Sequence, residues 1–218
     1  VGNVPVASES AAVYFMPKPA ANLLALSRTQ EFASRLGLDP SPIEETKSVY
    51  RFEDATASLR RFRYDIVSNN FILRYGFEQD TGLFSDRNIP GVDAGIAEGK
   101  AMLQTFTLYG TDLSQGTSKV SFLKLVGDKL VGTTSLSQAD ALRVDFFRRS
   151  VSGMRLFPPN PDEGQAVFIF SGSKSRRLPR AYRNVFRSFR YASARRVRIV
   201  SERRTSSLNS TEATHRRK

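Results

Sequence analysis

The sequence predicts an α+β fold of two halves, each a helix followed by antiparallel strands, with a basic C-terminal extension. Three observations predict it. Apolar residues recur at helical spacing over residues 22–36 and again over 93–109, and each stretch is closed by a glycine, Gly37 or Gly110. Between and after these stretches apolar and polar residues alternate, as in Phe62, Tyr64 and Ile66 against Arg61, Arg63 and Asp65. The halves also echo each other, Phe62-Arg63-Tyr64-Asp65 against Val144-Asp145-Phe146-Phe147. The offset of that echo is not constant, so it marks a weak repeat rather than a solenoid.

Residues 1–12 are small and polar and read as a linker; Val13-Tyr14-Phe15-Met16 is an apolar run stopped by Pro17 and Pro19. The first half spans residues 13–90. Its helix carries a stripe of Leu23, Leu26, Ala33 and Leu36, with Gly37 as the left-handed stop and Pro40 preventing continuation. Ser48–Phe52 reads as a strand. Leu59–Ile66 and Phe71–Phe77 read as a hairpin, because Ser68-Asn69-Asn70 supplies turn chemistry and Asn tolerates positive φ. The second half spans residues 91–173. Asp93 is the predicted N-cap of a helix running to Tyr109, with Ile96, Leu103 and Phe106 on its apolar face. Strands are predicted at Lys119–Val126, Lys129–Thr133, Ala141–Phe147 and Ala166–Phe170, the last two separated by an exposed Pro158–Gly164 turn.

The 218 residues include 33 Lys+Arg and 21 Asp+Glu, a net charge of +12. That charge is not spread over the fold. Residues 173–218 hold 15 basic and two acidic side chains, net +13, while residues 1–172 hold 18 basic and 19 acidic, net −1. The change of composition is abrupt, with Arg and Ser dominating and Arg arriving in pairs such as Arg176-Arg177 and Arg195-Arg196. Residues 174–218 are therefore a separate basic tail.

The absence of Cys removes thiol catalysis, disulfides and Cys-ligated metal sites, and the single His215 leaves no His-based triad or multi-His metal site. No run of about 18 apolar residues is present. Gly95-Ile96-Ala97-Glu98-Gly99-Lys100-Ala101 is one residue short of a phosphate loop, and Ala101 stands where a Mg²⁺-binding hydroxyl is required. It reads instead as helix, with small residues permitting close packing. Ser171-Gly172-Ser173-Lys174 has Ser-x-x-Lys spacing but follows a strand and lacks the companion motifs of acylating enzymes. Glu78, Asp80, Asp86, Asp93 and Glu98 fit no calcium-loop spacing and read as a solvated loop face. Asp65 and Asp145 are each expected to form a cross-strand charge pair, for instance with an Arg. Asn209-Ser210-Thr211 is a formal glycosylation sequon. No catalytic constellation, metal site or cofactor site is predicted.

The order helix, glycine, strand, hairpin resembles tandem PepSY-like modules and the related extracytoplasmic regulators of sensor histidine kinases. Val13-Tyr14-Phe15-Met16-Pro17, Ala33-Ser34-Arg35-Leu36-Gly37, Ser137-Gln138-Ala139-Asp140-Ala141, Arg143-Val144-Asp145-Phe146-Phe147-Arg148 and Phe170-Ser171-Gly172-Ser173 are similar to uncharacterised membrane-anchored surface proteins of small-genome bacteria. The resemblance covers residues 13–173. It implies a membrane anchor upstream of Val1, an outward-facing domain and no enzymatic activity, and it carries over no functional residue.

The tail has three readings. Arg180, Arg183, Arg187 and Arg190 recur at spacings of three and four, so a helix would gather them beside an apolar stripe of Tyr182, Val185, Phe186 and Phe189. With Arg195 and Arg196 they would form a surface for nucleic acid or anionic lipid. The second reading is a solvated, disordered extension. The third is a shifted reading frame: read one base earlier, residues 196–213 permit a Ser/Thr-Tyr-x-Ile/Leu-x-Thr-x-Asp text similar to the next segment of the same surface proteins.

The resulting expectation is a non-catalytic extracytoplasmic binding or regulatory module, its partner a protein or cell-envelope component. Arg61, Arg63 and Arg74 on exposed sheet faces are candidates to meet an acidic partner or a cell-wall polymer. The alternative is a nucleic-acid- or anionic-membrane-binding protein acting through the tail.

Overall fold

The computed structural model describes residues 22–55, 59–80, 83–84, 88–150, 155–158 and 160–172, together with the backbone of 185–191 and 198–200. In chain order the elements are α1 (Ala25–Arg35), β1 (Ile43–Thr46), β2 (Val49–Glu53), β3 (Arg60–Asp65), β4 (Asn70–Tyr75), α2 (Val92–Thr105), α3 (Thr111–Ser114), β5 (Thr117–Val126), β6 (Lys129–Thr133), β7 (Ala141–Phe147), β8 (Arg155–Phe157), β9 (Ala166–Ser171), β10 (Val185–Tyr191) and β11 (Arg198–Val200). The fold is α+β with antiparallel strands. The predicted linker 1–12 and the Val13–Met16 run lie outside the described residues.

α1 begins at Ala25, two residues later than Leu23, which is 99% exposed and no part of the buried stripe. Thr29, Ala33 and Leu36 supply that stripe. Gly37 ends the helix at φ +72°, as expected. Its N–H donates to Ser34 O and the Leu38 N–H to Ala33 O, the paired bonds of a Schellman stop, with Leu38 buried beside them. α2 stops in the same way but not where expected. The Thr107 N–H donates to Gln104 O and the Leu108 N–H to Leu103 O, which makes Thr107 the left-handed residue at φ +59°. A β-branched residue there costs on the order of 1 kcal/mol. Gly110 instead precedes α3.

Nine strands form one sheet in the order β1-β2-β3-β4-β10-β9-β7-β5-β6, and β8 pairs with β11 in a separate ribbon. The first four strands are a meander. In the second group β5 lies between β6 and β7, so the two four-stranded groups differ in connectivity. β10 joins them, antiparallel to both β4 and β9. This overturns the helix expected around Arg187 and Arg190. Val-Phe-Arg-Ser-Phe-Arg-Tyr is rich in β-branched and aromatic residues, and β4 and β9 would otherwise present unpaired N–H and C=O groups. The spacing of the arginines loses to two open sheet edges.

Both helices cover one face. Phe32 of α1 meets Phe62 and Phe71 edge-on, with ring centroids 5.2 Å apart in each pair. α2 lies on the second group at very close range. A Cβ on Gly95 would overlap Leu142, and one on Gly99 would come within 2.7 Å of the Phe146 ring. The two glycines are therefore packing devices, as the sequence suggested, and each gives up about 1 kcal/mol of helix propensity to allow the contact. Phe32 also meets Phe106 at 4.5 Å, which joins the two helices. One core results, running from Phe52 and Phe62 through Leu103 to Phe146, Phe168 and Phe170.

The β3–β4 turn carries a titratable clamp. Asp65 accepts hydrogen bonds from the Val67 N–H (3.0 Å) and the Ser68 hydroxyl (2.6 Å), while Asn69 takes φ +54°. It makes no ion pair with an Arg among the described residues. Burial raises the Asp65 pKa, but the bonds from Ser68 and Val67 outweigh it, and the carboxyl ends below its ordinary value. The folded state thus binds this proton less readily than the unfolded chain. The contribution is complete above the unfolded value of about 3.9 and is lost as pH falls through the lower folded value. Amide exchange at Val67 and Ser68 should accelerate below about pH 4, more than exchange in β7, and Asp65→Asn should remove that dependence.

Candidate polyanion-binding face

β2, β3 and β4 alternate strictly between two faces. Toward the helices point Tyr50, Phe52, Phe62, Tyr64, Phe71 and Tyr75; on the other side lie Arg51, Glu53, Arg61, Arg63, Ile72 and Arg74. Every aromatic residue of these strands thus belongs to the inner face, and four arginines belong to the outer one.

The register brings like charges opposite each other. Arg51 faces Arg63, and Arg61 faces Arg74. Such juxtapositions are unfavourable by a few tenths of a kcal/mol or more unless they are compensated. Compensation is partial. Glu45 lies 3.2 Å from Arg51 and also pairs with Arg63. Glu53 pairs with Arg51 and lies 3.4 Å from Arg61. Three guanidinium groups therefore share two carboxylates. Arg74 is exposed and makes no ion pair with any described residue. Exposed pairs of this kind contribute about 0–1 kcal/mol each, so the face is not arranged for stability.

The described backbone brings part of the tail to this face. Arg190 in β10 stands in register with Ile72, in the row that also holds Arg51 and Arg63. Arg187 lies in the irregular stretch of the β9–β10 pairing. Arg180, Arg183, Arg195 and Arg196 lie outside the described residues, as do Lys174, Asp86 and the Asn209 sequon. Sequence reading found Arg61, Arg63 and Arg74 but missed Arg51, whose alternation with Tyr50 and Phe52 was the available signal.

Among the described residues, the acidic side chains of 78–98 do not converge into a ligand set. Asp80 accepts a hydrogen bond from the Tyr75 hydroxyl, and Asp93 sits in the first turn of α2. No group of three His, Asp or Glu side chains placed to hold a metal occurs among the described residues. Ser171 closes β9, buried, as the strand-end reading required. Asp145 pairs with Arg143 two residues away on its own strand rather than across strands. No helix among the described residues is long and apolar enough to cross a membrane. Comparison with protein-family models, with curated proteins and with solved structures finds no match.

Proposed function

We propose that the chain is a non-catalytic extracytoplasmic binding module of a membrane-anchored bacterial protein. In this reading the two helix-plus-sheet halves are a PepSY-like tandem, and the outer face of β2–β4 takes up a phosphate-bearing polymer of the cell envelope. The observation that carries the proposal is the opposed pair Arg61 and Arg74, the latter without a carboxylate partner among the described residues. An extended polymer of negative charge would resolve the repulsion and supply the missing counter-charges.

The arrangement favours a phosphate polymer over single-stranded nucleic acid. Binding of the latter draws about 1–3 kcal/mol per base from stacking on aromatic side chains. Here the aromatic residues of β2–β4 face the helices, so the outer face of these strands presents arginines without a stacking ring.

Charge reversal in the full-length chain is the test, because truncation at residue 174 would also remove β10. Arg61→Glu combined with Arg74→Glu should weaken binding of poly(glycerol phosphate) by about tenfold or more at about 150 mM salt, and should flatten the salt dependence. Unchanged polymer affinity in the double variant would reject this face. Tighter binding of single-stranded nucleic acid than of the polymer would favour the nucleic-acid alternative.

A further inference from the structure

A second cationic feature lies away from β2–β4. The α3–β5 corner, the end of β7 and the start of β8 enclose a cavity of about 190 Å³. Its lining includes Arg148, Arg149 and Arg155 and, among the described residues, no acidic side chain, the Asp112 carboxylate pairing with Arg148 at 3.1 Å. Pockets for drug-sized ligands run to about 300–1,000 Å³. A space of this size suits a single small group.

The walls are fixed by bonds at several points. Gln165, fully buried, accepts from the Arg148 N–H at 3.1 Å and donates to Leu156 O at 2.7 Å, which ties the residue after β7 to β8. The Arg149 N–H donates to Asp112 O at 2.8 Å, and its guanidinium donates to Gln115 Oε1, also at 2.8 Å. The buried Arg148 side chain forms an ion pair with Asp112 at 3.1 Å. Gly116 completes the corner. A Cβ there would overlap the Phe147 carbonyl oxygen, so only glycine lets α3 close so tightly on β7.

We infer that this cavity is a binding site for one phosphate-type oxyanion. A carboxylate is satisfied by a single bidentate guanidinium. A phosphate monoester carries about −1.5 to −2 and three terminal oxygens, which suits more than one of the three arginines. The group could arrive as free phosphate or as a phosphate ester, and the two are separable by experiment. This inference stands on different residues from the sheet face, so either can fail alone.

The test is titration of the full chain with inorganic phosphate, methyl phosphate and acetate, followed through the Gly116 and Arg149 amide resonances. The expected result is saturable binding of a phosphate species and weaker binding of acetate. Arg149→Gln, an exposed substitution compatible with folding, should weaken phosphate binding about tenfold or more, as loss of a charge-assisted hydrogen bond does. Arg61→Glu/Arg74→Glu should leave it unchanged. Tighter binding of methyl phosphate would assign the site to an ester, and tighter binding of phosphate to the free ion. No saturable shift with either, acetate binding as tightly, or an Arg149→Gln variant with wild-type affinity would overturn the inference.

Discussion

Arg60→Ala is expected to cost about 3–5 kcal/mol, a large share of the roughly 5–15 kcal/mol that stabilises a typical domain. The Arg60 side chain is 8% exposed and its partner Asp54 14%. Nε donates to both Asp54 oxygens at 2.9 and 3.0 Å, and the remaining nitrogens donate to Leu36 O at 2.8 Å and Gly37 O at 3.0 Å. One guanidinium thus neutralises a part-buried carboxylate, caps the carbonyl end of α1 and fixes that helix to β3. Positive charge at a helix C-terminus is favourable in itself. Arg60→Lys should recover only part of the loss, because an ammonium cannot span the same fork. Urea unfolding of the three proteins checks this; a loss below about 1 kcal/mol for the alanine variant would refute the clamp.

Asp145→Ala should be comparably severe. Asp145 is 2% exposed, accepts two bonds from Arg143 at 2.7 and 2.8 Å, and accepts the Gly164 N–H at 2.8 Å. Its hydrogen bonds and charge hold the Arg143 guanidinium above its ordinary pKa against the opposing effect of burial. Gly164 is pressed onto β7, where a Cβ would lie 2.7 Å from the backbone N and O of Phe146. Removing the carboxylate leaves a half-buried cation and a buried N–H unpaired together, again about 3–5 kcal/mol. For a chain of this length the melting temperature should drop on the order of 10 °C. Asp145→Asn keeps an acceptor for Gly164 and should lose less. Equal losses in the two variants would show that the charge, not the bond to Gly164, carries the effect.

Elements governed by local pattern are legible in the order of residues alone. β6 and β7 fall on the predicted residues, and the β3–β4 hairpin turns at Asn69 as its chemistry required. β1 escapes such reading because all four of its residues are exposed and no alternation marks them. The stop of α2 is misplaced by local rules because Gly110 is the better left-handed residue, while packing selects Thr107. The arginine spacing of β10 fits a helix, and only the two open edges at β4 and β9 give the strand its place. The outer face is half legible for the same reason: alternation places Arg61, Arg63 and Arg74 on one side, but the opposition of Arg61 and Arg74 depends on register. The arginine-lined cavity is beyond sequence reading, since it joins residues 115–117 to 147–150 and 155–156 through strand pairing.

The position of β10 also governs the order of assembly. The strands of each four-stranded group come from one continuous stretch of chain, so each group can form early during synthesis. The strand between them is supplied by residues 185–191, more than a hundred positions after β4. Until it arrives, two inner edges wait open to any other extended segment, the state in which strands exchange between molecules. The text that follows Ser173 therefore supplies the keystone of the sheet rather than an appendage, because β10 is drawn from it.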